Sequence, residues 1–96
     1  MELRQLKYFV KTAETLNFSE AAKALSVTQS TLSQQIRQLE QEIDTVLFVR
    51  DSHSVQLTES GERLLPLAEK TLKDATSCLD MVRDLKIMLS GSFNIG

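Results

Sequence analysis

Gln29, Ser30, Ser33, Gln34 and Arg37 fall on one side of a helical repeat, while Leu32, Ile36, Leu39 and Ile43 recur on the other at the spacing of a buried stripe. A solvated helix face normally carries Lys and Glu. This one is almost uncharged and consists of side chains that donate and accept hydrogen bonds. Such side chains read base edges. A Gln carboxamide offers a donor and an acceptor together to adenine, a Ser hydroxyl bonds several bases, and an Arg guanidinium grips phosphate or guanine. The first turn of such a helix is where helix-turn-helix proteins touch bases. A Gln- and Ser-rich face on its own is more often solvent-facing filler, so the reading depends on the elements that would position it.

Those elements are legible around it. Leu3, Leu6, Phe9, Val10 and Ala13 share one face of a first helix running from Leu3 to Leu16, with Glu2 placed to favour its start. Asn17 breaks that pattern. Ser19 is a candidate N-cap for a second helix, in which Ala21, Ala22 and Leu25 form a small-residue face suited to close crossing. Ser26 and Val27 make a tight connection, and Thr28 caps the third helix, whose stripe continues to Ile43. Beyond Asp44, the apolar run from Val46 to Val49, the polar turn Asp51-Ser52-His53-Ser54 and the segment Val55-Gln56-Leu57 read as two short strands, a wing beside the helices.

A long helix is predicted from Thr58. In it Leu65, Ala68, Leu72, Ala75, Leu79, Val82 and Leu89 repeat three and four residues apart, with Lys86 as the break, and this series is the expected dimer interface. A second stripe, Leu64, Leu67, Cys78, Met81, Leu85 and Met88, widens the apolar face beyond what an isolated helix keeps in water. Pro66 predicts a local bend without a break. Gly61 either permits close approach to the winged part or is a tolerated weak position. The tail from Ser90 to Gly96 reads as flexible and then strand-like. The expected divisions are 1–58 for the winged helix-turn-helix, 59–89 for the linker and dimerisation helix, and 90–96 for a hinge leading into a further domain. The fold class expected is mainly α.

The chain has 96 residues and is 42% hydrophobic, enough for one small core. Its formal net charge of −2 opposes strong non-specific binding to nucleic acid by one copy, so affinity is expected from a dimer. One cysteine, Cys78, permits no internal disulfide and fits a reducing cytoplasm; it reads as interface filling rather than a reactive thiol. The single His53 has no second histidine or cysteine with which to build a metal site, and no cofactor is expected. The charged N-terminal segment is neither a signal peptide nor a membrane span. Paired carboxylates in an apolar setting, a glycine-rich phosphate loop and a nucleophile triad are all lacking, which disfavours an enzyme.

Taken together, the segments LRQLKYFVKTAETLNFSEAAKALSVTQSTLSQQIRQLEQEI, LFVR and VQLTESGERLLP resemble the N-terminal part of LysR-type transcriptional regulators over essentially the whole chain. The resemblance implies a winged helix-turn-helix that binds double-stranded DNA at a partly palindromic operator, a linker helix that pairs two subunits, and a larger effector domain beyond it that binds a small-molecule inducer. It assigns base edges to Gln29, Ser30, Ser33 and Gln34, and phosphates to Thr28 and Arg37. Arg50 and the turn residues His53 and Ser54 would approach the backbone and the minor groove, whose negative potential attracts cations. Two positions depart from the family pattern: His53 stands where arginine is common, and Asp44 where glycine usually ends the recognition helix. The competing reading is a helical pairing module that joins a full-length regulator without reading DNA. The uncharged face of the third helix speaks against it.

Overall fold

Among the described residues, apolar spacing and capping chemistry produce four helices and one hairpin: α1 (Leu3–Thr15), α2 (Phe18–Leu25), α3 (Gln29–Glu42), β1 (Phe48–Arg50), β2 (Val55–Leu57) and α4 (Glu59–Ile95). The computed structural model describes residues 1–51 and 54–95. The fold is a winged helix-turn-helix followed by a long helix, as the sequence predicts. Among the described residues no helix is long and apolar enough to cross a membrane.

At the start of α1 the Gln5 side chain accepts the Glu2 N–H at 3.0 Å, and Leu6, Phe9, Val10 and Ala13 turn inward. The helix ends at Leu16, which closes it in the left-handed conformation at φ 51°. The N-cap of α2 is Asn17 and not Ser19, because the Asn17 side chain accepts the Glu20 N–H at 3.0 Å. Starting the helix there lets Phe18, only 6% exposed, enter the core, and leaves Ser19 as the second helical residue with its hydroxyl outside. Thr28 caps α3 as expected, accepting the Thr31 N–H at 3.1 Å. Leu32, Ile36 and Leu39 are completely buried, each contributing about 1.5–3 kcal/mol. Asp44 follows α3 at φ 52°, so it takes the left-handed shape that glycine would adopt with less strain.

The first wing strand lies one to two residues later than the apolar run suggests. β1 pairs antiparallel with β2 in the register Phe48↔Leu57, Val49↔Gln56 and Arg50↔Val55. Leu47 stands just outside β1 because a side chain takes its N–H, while its carbonyl still bonds the in-register Thr58. Its N–H donates to the Glu40 carboxylate at 2.7 Å, and its carbonyl accepts the Thr58 N–H at 2.9 Å. The Phe48 N–H reaches the same Glu40 oxygen at 3.4 Å. Phe48 then packs against Phe9 and Phe18, with ring centroids 5.5 and 5.8 Å apart, and so fixes the wing to the helices.

Thr58 roots α4 in the same place. Its hydroxyl donates to the Val46 carbonyl at 2.7 Å and accepts the Gly61 N–H at 3.0 Å. Gly61 permits the close approach: a Cβ there would collide with the Leu47 carbonyl and lie 2.8 Å from Leu57 Cδ2. The helix passes unbroken through Pro66. Ala68 is 1% exposed and belongs to the core, with Leu64, Leu65 and Leu72 packed around it. Ala68 is therefore sealed inside its own chain and has no surface left for a partner, a correction to its expected interface role. The helical backbone also continues beyond Leu89 to Ile95, where the sequence suggests a flexible segment and a strand.

Two substitutions test these joints. Gly61→Ala should lower unfolding free energy by about 1–3 kcal/mol in urea denaturation, because backbone rather than a flexible side chain blocks the added methyl. Glu40→Ala should cost about 1–3 kcal/mol through the orphaned Leu47 amide and speed that amide's hydrogen exchange. Unchanged exchange at Leu47 would refute the tie.

Candidate nucleic-acid interface

With Leu32, Ile36 and Leu39 fixed in the core, helical geometry sends the intervening residues outward. Gln29, Ser30, Ser33, Gln34 and Arg37 together line one open polar groove along the outer side of α3. Gln29, Ser30, Gln34 and Arg37 are exposed and Ser33 is half-buried. The structure thus brings together all four residues expected at base edges, with one cation beside them.

A second groove meets the first at Gln29 and Ser33 and runs toward the wing past Phe18, Ser19, Arg50 and Ser54. At its floor the Arg50 guanidinium stacks over the Phe18 ring, 4.1 Å from the centroid. Burial against this surface pulls the Arg50 pKa below its ordinary value; the nearby charge of Glu40 raises it and that of Arg37 lowers it further. The group stays cationic at neutral pH all the same. Arg37 and Arg50 therefore repel each other, and an anion bound near both would relieve that repulsion.

The other expected contacts divide. The Thr28 hydroxyl is committed to capping α3 and also donates to Thr31 Oγ1 at 2.9 Å. The Ser54 N–H donates to Asp51 Oδ1 at 2.7 Å, and its hydroxyl turns to the same carboxylate, closing the wing turn. His53 lies outside the described residues.

Sequence reasoning misses two contributors. Glu40 reads as one more acid after the polar face, yet it anchors the wing amides. Ser19 reads as a cap, yet its Oγ donates to Gln29 Oε1 at 2.9 Å, bridging the openings of α2 and α3. No local pattern announces either contact, since each depends on how two elements meet. Along α4 the expected pairing stripe splits. Leu65, Leu72 and Ala75 are half-buried, with Leu65 and Leu72 packed on the core, whereas Leu79, Val82 and Leu89 stand open. Met81, Leu85 and Met88 form an adjoining apolar strip beside Ser77, Asp80 and Asp84.

Residues 3–62 match the profile of the bacterial regulatory helix-turn-helix proteins of the lysR family. The chain is 45% identical over its full 96 residues to the HTH-type transcriptional regulator BudR of Klebsiella aerogenes, spanning 67% of that protein. It is 41% identical over 95 residues, 99% of the chain, to the HTH-type transcriptional regulator IlvY of Escherichia coli strain K12, of which it spans 32%. Its fold superposes on the BenM DBD of the catB site 1 DNA complex with a TM-score of 0.85 at 36% identity, covering 88% of this chain and 96% of that one. The chain thus spans about two thirds of the first of these regulators and about a third of the second. Profile, relatives and fold agree: the chain belongs to the LysR family of bacterial regulatory helix-turn-helix proteins and carries that family's winged helix-turn-helix DNA-binding domain.

Proposed function

We propose that this chain binds double-stranded DNA sequence-specifically as a homodimer and regulates transcription by occupying a partly palindromic operator. The observation that carries the reading is the single groove formed by Gln29, Ser30, Ser33, Gln34 and Arg37 at the opening of α3. It combines base-reading side chains with one phosphate-gripping cation, and it is held from behind by a fully buried stripe. Gln29, Ser30, Ser33 and Gln34 take base edges. Arg37 and Thr28 take phosphates, and Arg50, aimed by Phe18, approaches the backbone from the wing side beside Ser54; the family resemblance assigns His53 to the same approach. Binding, not catalysis, is the activity.

The open part of α4 supports pairing. Leu79, Val82, Leu85 and Leu89 are each about half exposed or more, on a helix whose charged residues do not cover them. A second copy laid on this surface would bury it and carry a second α3 to the next half-site of a symmetric operator. Residues 1–58 form the DNA-binding unit in this reading, and the helix beyond them is the pairing element. In regulators longer than this chain, a further domain would receive the small-molecule inducer.

A gel shift on inverted-repeat duplexes across a salt series tests the proposal. Gln29→Ala should reduce discrimination between sites by roughly fivefold or more. Arg37→Ala should weaken all sequences alike and lower the salt slope by about one. Equal, sequence-independent losses from both would refute the division of roles, and pairing without any DNA binding would favour the helical pairing module. In analytical ultracentrifugation, Leu79→Asp should convert a dimer to monomers; a persistent dimer would exclude this face.

A further inference from the structure

Ser19 and Gln29 lie on different helices, yet the Ser19 hydroxyl donates to Gln29 Oε1 at 2.9 Å. Both residues are exposed, so packing does not wedge the carboxamide in place. The hydroxyl is available for this contact because Asn17 performs the capping of α2. A glutamine amide has an accepting end and a donating end, and rotation about its last torsion exchanges them at little cost. For base readout that freedom erases information. A freely turning amide offers Oε1 to the N4 donor of cytosine as readily as Nε2 to the acceptors of guanine, adenine or thymine.

We propose that Ser19 is a positioning residue for base recognition: by holding Oε1 of Gln29 toward α2, it leaves Nε2 as the reading end and makes this side chain reject cytosine. The inference rests on the reading of α3 as the base-contacting helix. Three bases present an acceptor on their major-groove edge, whereas cytosine presents only a donor there. The pinned amide therefore discriminates one base against three. Adenine is still accepted, because its N7 takes the Nε2 donor.

Selection of bound duplexes from a randomised pool, run on the 96-residue chain and its variants, tests this. The parent should deplete cytosine at one position of each half-site. Ser19→Ala should raise cytosine there at least about fivefold while other positions and the melting temperature stay unchanged, and Ser19→Thr, which keeps the hydroxyl, should restore the depletion. In the free protein, NMR should show the Gln29 side-chain amide ordered in the parent and in Ser19→Thr and mobile in Ser19→Ala. Retained cytosine depletion in Ser19→Ala would overturn the inference. A loss of affinity shared by all sequences would do the same, since it marks a phosphate contact or a structural role. If the parent selects no sequence at all, the DNA-binding reading fails and this inference falls with it, whereas failure confined to Ser19→Ala leaves that reading standing.

Discussion

The complete burial of Leu32, Ile36 and Leu39 is the constraint on which the rest of the molecule depends. Three side chains at helical spacing set the rotation of α3 about its own axis, and that rotation decides what faces outward. Turning the helix by one residue would move Ser33 and Arg37 away from their groove and drive polar atoms into a core built from Phe9, Ala21 and Phe18. The free energy of burying the stripe is thus also the free energy that orients the polar face.

The wing is held by fewer contacts of a different kind. Phe48 links it to Phe9 and Phe18, and the Arg50 guanidinium lies over the Phe18 ring. Glu40 ties α3 to the backbone just before β1. An acid in this position is useful despite the negative charge it brings near a surface proposed to take phosphate. Its carboxylate is engaged by amide donors, and it offsets part of the repulsion between Arg37 and Arg50. The overall charge of −2 therefore describes the local field at the groove poorly.

Periodicity in the sequence discloses which side of each helix is buried, although in α1 the expected Leu3 stands exposed while the polar Gln5 and Thr12 are buried. The Thr28 cap, the two wing strands and the close approach at Gly61 are legible for the same reason: each follows from a residue type acting over a few positions. What buries a face is not legible. Ala68 and Leu79 belong to one three-and-four repeat, yet the first is enclosed by its own chain and the second stands in solvent. The start of β1 depended on the Leu47 N–H being claimed by Glu40, 7 residues away in sequence. The choice of Asn17 over Ser19 as the cap of α2 depended on where Phe18 could reach the core. Within the candidate site, Gln29, Ser30, Ser33, Gln34 and Arg37 could be named from spacing, but the Ser19 partner could not.

Gly61 abuts the Leu47 carbonyl and Ala68 sits in the core, so the long helix has no swivel where it leaves the winged part. Head and arm move as one lever. In a paired assembly, the distance and the angle between two reading surfaces would accordingly be set by how the far halves of two arms cross. A small change of crossing angle there would be magnified along an axis of 64 Å.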